Sequence, residues 1–170
     1  MKKSLLTAVA LAALSTSAFA AGTGTINFKG EIVAGACGID SGSVNQTVQL
    51  GKVPTNVFTK AGDKSQPVTF QITLTDCDTS VSKQAKFTFT GTSNATQPKL
   101  LATIGSATNV GIRLQSASGE DLDNGVEQAA PTLLSNGNNT VTFGARYEAT
   151  AAGVTPGTAD SVANFTVRYE

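Results

Sequence analysis

Val68-Thr-Phe70-Gln-Ile72-Thr-Leu74-Thr75-Asp76-Cys77 decides the fold. Its apolar side chains fall on every second residue, with polar ones between. Successive side chains of an extended chain point to opposite faces, so one face of this run goes to a core and the other to water. The same period recurs in Ile26-Asn-Phe28-Lys-Gly30-Glu-Ile32 and in runs at 44–53, 86–90, 110–115, 140–147 and 162–169. Ser118-Gly119, Asp123-Asn124-Gly125, Asn136-Gly137 and Pro156-Gly157 separate the runs as turn formers. Outside the first twenty residues, no stretch of eleven or more holds apolar positions at helical spacing. About seven short strands punctuated in this way predict one antiparallel all-β sandwich.

The chain opens with a different pattern. Lys2 and Lys3 precede an apolar run from Leu5 to Leu14, and Ala18-Phe19-Ala20 is a small-x-small cleavage site. These parts read as a secretory signal peptide over residues 1–20. The other reading, a membrane anchor, needs about 20 apolar residues. The expected mature chain, 21–170, is the size of one domain. The whole sequence carries 12 basic and 12 acidic side chains, so loss of Lys2 and Lys3 leaves a net charge of −2. That balance is no footprint for nucleic acid. Cys37 and Cys77 both lie in the exported part, where two lone cysteines most simply pair. A bridge over roughly 40 residues removes about 4 kcal/mol of unfolded-chain entropy. The alternative, a reactive thiol pair, lacks any histidine to lower its pKa.

Catalytic and metal chemistry find little to stand on. The absence of histidine removes the usual general base and the commonest metal ligand. Asp121-Leu-Asp123-Asn-Gly125, after Glu120, has only part of a calcium loop's oxygen set and no glutamate at its twelfth position. It reads as a solvated turn. Asp76 and Asp78 read as a polar strand end, and Lys60, Lys64, Lys83 and Lys86 as scattered solvated side chains. No nucleophile elbow or phosphate-binding glycine loop appears. No catalytic residue, metal ligand or cofactor is assigned, which speaks against a secreted hydrolase of sandwich fold.

The two ends carry the remaining information. Gly24, Ile26, Phe28, Gly30 and Ile32 share one face of an extended segment. At the other end Ala163, Phe165, Val167 and Tyr169 alternate with polar residues. By pattern alone the first is either an ordinary first strand or a free apolar arm. The second is either fully paired or an open edge that recruits another strand.

The ordered pieces Gly24-Thr-Ile-Asn-Phe-Lys-Gly-Glu-Ile-Val33, Cys37, Thr47-Val-Gln-Leu-Gly51, Phe70-Gln-Ile-Thr-Leu-Thr-Asp-Cys77 and Gly111-Ile-Arg-Leu114 carry a resemblance. Tyr147-Glu-Ala-Thr150, Val154-Thr-Pro-Gly157 and Ala163-Asn-Phe-Thr-Val-Arg-Tyr169 complete it. Along essentially its whole length the chain resembles the major structural pilins of chaperone–usher, type 1-like fimbriae. The resemblance implies an incomplete immunoglobulin-like Greek-key sandwich that lacks its final strand. It divides the chain into a signal peptide (1–20), a donor-strand extension (21–33) and a pilin domain (34–170). Gly24, Ile26, Phe28, Gly30 and Ile32 would enter a neighbour's groove. Ala163, Phe165, Val167 and Tyr169 would form the acceptor edge, with Gly157 the glycine ahead of it. Only Ala21, Gly22 and Thr23 precede Gly24, a shorter lead than in some relatives. The implied partners are other copies of the chain, a periplasmic pilus chaperone, an outer-membrane usher and other pilins of the fimbria. The implied location is a cell-surface fimbrium reached through the periplasm. Tip adhesins of the family carry a further lectin domain, for which the chain has no room; a minor adaptor of the same size is the alternative to a shaft subunit.

Overall fold

A computed structural model describes residues 24–30, 32 and 35–170. The signal peptide over 1–20 and the start of the extension at 21–23 lie outside the described residues. Residues Val33–Glu170 form one compact unit, separate from those up to Ile32.

The period-two runs become strands wherever they find partners. β1 (Gly38–Ile39), β2 (Val68–Cys77), β3 (Gln84–Gly91), β4 (Leu101–Ala102), β5 (Val110–Ser116), β6 (Asp121–Leu122), β7 (Thr132–Leu133), β8 (Gly137–Ala149) and β9 (Ala163–Tyr169) are joined antiparallel throughout. One sheet has the order β1-β2-β8-β5-β4, with β6 also on β5. The other has the order β7-β3-β9. Two 3-10 turns, Ser41–Ser43 and Thr55–Val57, are the helical elements among the described residues.

Register explains the core. Phe70 lies opposite Phe143, and Ile72 opposite Val141, so the alternate residues of β2 and β8 stack on one face. From the facing sheet, Ala85, Phe87 and Phe89 of β3 close down on them. The Phe87 and Phe89 rings stand 5.0 and 4.9 Å from Phe143, both edge-on, the geometry that aromatic quadrupoles favour. Cys37 and Cys77 are bonded to each other and buried in this core, which ties residues before β1 to the end of β2. Asp76 adopts a positive φ of 52° at the register shift between Leu74 and Cys77, where the extra residue of a bulge must bend the strand.

Two expected strands differ. Residues 44–53 belong to no ladder: 44 and 45 form a turn, Asn45 and Gly51 take positive φ of 60° and 72°, and none of 45–53 makes a backbone–backbone hydrogen bond among the described residues. Residues 24–30 and 32 are likewise outside any ladder. Period two reports an extended chain with two unlike faces; a ladder also needs an adjacent partner. Both unpaired runs bear on function.

An apolar cleft beside the last strand

The cleft begins with the pairing of β9. Among the described residues it pairs with β3 alone, from Ala163 opposite Gly91 to Tyr169 opposite Ala85. Glu170 N–H donates to the Gln84 carbonyl at 2.9 Å and Gln84 N–H donates back at 3.1 Å. In an antiparallel ladder such doubly bonded pairs alternate with unbonded ones. The bonded set is therefore Glu170, Arg168, Thr166 and Asn164. The N–H and C=O of Ala163, Phe165, Val167 and Tyr169 are directed away from β3, along an edge with no partner strand. The side chains of Phe165, Val167 and Tyr169 are half-buried against the core, so this edge and this apolar stripe belong to the same residues.

Facing that edge is the unpaired segment 43–51. Val48 and Leu50 are half-buried there, Leu50 against the core, while Val44 is exposed. The Gln46 side-chain amide donates to the Gln71 carbonyl at 3.0 Å, and the Thr73 N–H donates to Ser43 Oγ at 2.8 Å. These bonds pin the segment along β2 without using its own backbone. Between this segment and residues 159–165 lies a cleft of about 850 Å³. Phe70, Ile72, Phe89, Leu101, Ile112 and Leu114 form its floor. The structure is a sandwich with one strand position vacant.

The residues expected to line a groove divide accordingly. Ala163 and Phe165 line the cleft. Val167 and Tyr169 continue along β9 past its end, where the Tyr169 hydroxyl donates to the Cys37 carbonyl at 3.3 Å. Burial of Tyr169 pushes its phenol above the ordinary range. Gly157 stands outside the cleft. Its glycine requirement comes from a close approach to Ser106 and Ala107, whose atoms a Cβ would strike. Of the extension, Ile26, Phe28 and Ile32 are 76, 90 and 102 % exposed, and Gly24 and Gly30 have open space around them.

The acidic turn at 120–125 is a correction to the sequence reading. Asp121 and Asp123 are not a plain solvated turn. Arg113, buried on the outer face of β5, donates Nε to Glu148 Oε2 at 2.9 Å and Nη1 to Asp123 Oδ1 at 2.8 Å. Lys64 and Arg146 reach Asp121 at 2.6 and 2.8 Å, and Lys99 reaches Asp123 at 2.9 Å. Burial would raise the Asp121 pKa, but the cations at Lys64, Arg113 and Arg146 outweigh it and hold the carboxyl below the ordinary range. Lys86 likewise sits among Glu127 and Glu170 and is not simply solvated. Lys64 and Asp121 are 57 residues apart in sequence and Lys86 and Glu170 farther still, and no local spacing marks them.

Comparison with known proteins agrees with this geometry. A family model described as fimbrial protein matches residues 26–170. The type-1 fimbrial protein A chain of Escherichia coli is 46 % identical, and the type 1 fimbrial subunit of Klebsiella pneumoniae 45 %, each over the full length of both chains. Among solved structures, a chaperone–usher pilus superposes with a TM-score of 0.75 at 28 % identity, covering 91 % of this chain and 100 % of the other. The P pilus rod subunit PapA gives a TM-score of 0.68 at 27 % identity, over 80 % of this chain and 100 % of its own. An immunoglobulin-like sandwich short of one strand, with its last strand left as an open edge, belongs to a chain of the fimbrial protein family, a pilus subunit of the chaperone–usher type.

Proposed function

We propose that this chain is the shaft subunit of an adhesive pilus and that copies of it polymerise by donor-strand exchange. A periplasmic chaperone strand occupies the cleft first. At the outer-membrane usher, the segment 21–33 of the next subunit replaces it, with Ile26, Phe28 and Ile32 entering the cleft. Gly24 and Gly30 pass where there is little room. The exported homopolymer stands on the cell surface and can join other pilins of the same fimbria. Addition of a strand to an exposed edge is a general recognition mode in which backbone bonds supply affinity and alternate side chains supply specificity.

One observation carries the reading: a cleft of about 850 Å³ lies beside the unpaired edge of β9. The chain's own leading segment supports it by presenting three large apolar side chains to water. Nine extended residues reach about 30 Å, longer than β9. Burying each large apolar side chain contributes about 1.5–3 kcal/mol.

Replacement of Phe165 or Tyr169 by alanine tests the acceptor half. Soluble chaperone-bound subunit in the periplasm should fall sharply, because the strand the chaperone pairs with loses its anchor. Unchanged subunit yield and unchanged fibres would sink the assignment of β9. Abundance of the chain in sheared surface fibres separates a shaft subunit from a minor adaptor.

A further inference from the structure

We infer that the two ends of the pilin body form a second contact between successive subunits: an apolar ledge at Ile104 and Val162 receives the turn around Val81 and Leu133 of the next copy. The inference rests on the donor-strand reading above and goes beyond it, because Ile104, Val81 and Leu133 lie outside both the cleft and the arm, and Val162 touches the cleft only at its wall.

The two surfaces sit at opposite ends of β9. At its start, Val162 precedes Ala163 and is 71 % exposed, while Ile104, 67 % exposed, donates its N–H to the Asp160 carbonyl. At its finish, Lys83 N–H donates to the Glu170 carbonyl, and Val81, 65 % exposed, lies in the turn just before it. Leu133, 74 % exposed, pairs with Gln84 at the same end. Six residue steps along β9 place the ends about 20 Å apart. Four large apolar side chains in two exposed pairs are more than scattered surface residues need.

Chain length then fixes which end meets which. The body's first described residue, Gly35, lies beside Tyr169; a Cβ there would be 3.5 Å from the ring. Ile32 is three residues earlier, so a seated Ile32 is within about 10 Å of its own body. The donor's Tyr169 end must therefore abut whichever end of the acceptor holds Ile32. An arm parallel to β9 would place Ile32 at the acceptor's Tyr169 end. Every body would then need that one end for two neighbours, the acceptor of its arm and the donor filling its cleft. An antiparallel arm uses each end once and propagates an open chain through a heterologous contact.

The test is inter-subunit cross-linking in assembled fibres. The full-length chain carrying both Ile104→Cys and Val81→Cys is expressed with its export machinery, and sheared fibres are boiled in detergent without reductant. The native cysteines are already bonded to each other. The expected result is a heat-stable ladder that collapses to monomer on reduction, with each single variant giving monomer on boiling. Val162→Cys with Leu133→Cys probes the same contact through other exposed positions. Fibres in which both double variants boil to monomer would overturn the contact while leaving strand exchange intact. Pairing of Val81→Cys with itself would also overturn it, since like ends would then meet. Failure of the donor-strand reading looks different: the fibre without introduced cysteines would already fall apart in unheated detergent, and the inference would fall with it.

Discussion

Truncating Phe28 to alanine separates the cost of assembly from the cost of folding. In the subunit its ring is 90 % exposed, so removing it takes almost no buried area from the body. A ring inserted beside Phe70, Phe89 and Phe165 would instead lose water from most of its surface. At the usual coefficient, burial of such a side chain contributes about 1.5–3 kcal/mol. The Phe28→Ala polymer should therefore release subunits about ten- to 150-fold more readily at equilibrium. The thermal midpoint of the chaperone-bound subunit should stay within about 2 °C of wild type, because surface changes usually cost under about 0.5 kcal/mol. Two assays read this out: subunit yield on the periplasmic chaperone, and the denaturant midpoint at which sheared fibres dissociate in detergent. Phe143→Ala is the control for a true core ring, with an expected folding cost of about 3–5 kcal/mol and loss of soluble subunit. If Phe28→Ala lowered chaperone-bound yield as Phe143→Ala does, Phe28 would belong to the body's own core and the reasoning would fail.

Other parts of the molecule make equally direct predictions. Arg113→Met should destabilise the body by up to about 3–5 kcal/mol, because buried Glu148 loses its bonded guanidinium and keeps only Lys64 at 3.7 Å. Adding Glu148→Gln should recover part of that loss in denaturant melts, and no recovery would argue against a buried pair. Asp121 has its folded pKa depressed below the ordinary 3.8, so its stabilisation is complete above that value and is lost as pH falls through the lower folded one. Thermal midpoints measured from pH 5 down to pH 2 should fall less steeply in Asp121→Asn than in wild type, and parallel slopes would refute the assignment. Replacing Cys37 and Cys77 by serine should cost about 2–5 kcal/mol, seen as reduced periplasmic subunit. A serine pair with an unchanged melt would show that the bridge adds nothing to the body.

Much of the site was legible before the fold was. The stripe Ile26, Phe28, Ile32 and the stripe Phe165, Val167, Tyr169 are both visible as period-two patterns. Their exposure or half-burial is what such patterns at open edges lead one to expect. The second wall of the cleft, expected as a strand, joins no sheet: Val44, Val48 and Leu50 share a face, but Gln46 interrupts the stripe and Asn45 and Gly51 take positive φ. Gly157 was grouped with the acceptor strand by its place in a motif, whereas its steric role is toward Ser106 and Ala107. The cluster around Arg113 left no trace, since Lys64, Asp121, Arg146 and Glu148 become neighbours only through the packing of β5, β6 and β8.

The order of residues alone determined an all-β sandwich, a cysteine pair and two apolar stripes near its ends. Those properties are local: alternation, turn chemistry and composition act over a few residues at a time. Which strands pair, and hence which edge stays open, was decided only in three dimensions. Among the described residues β9 pairs with β3 alone, while 44–51 runs beside the core without joining a sheet. A vacant strand position is a property of the spaces between elements, and no single element encodes it.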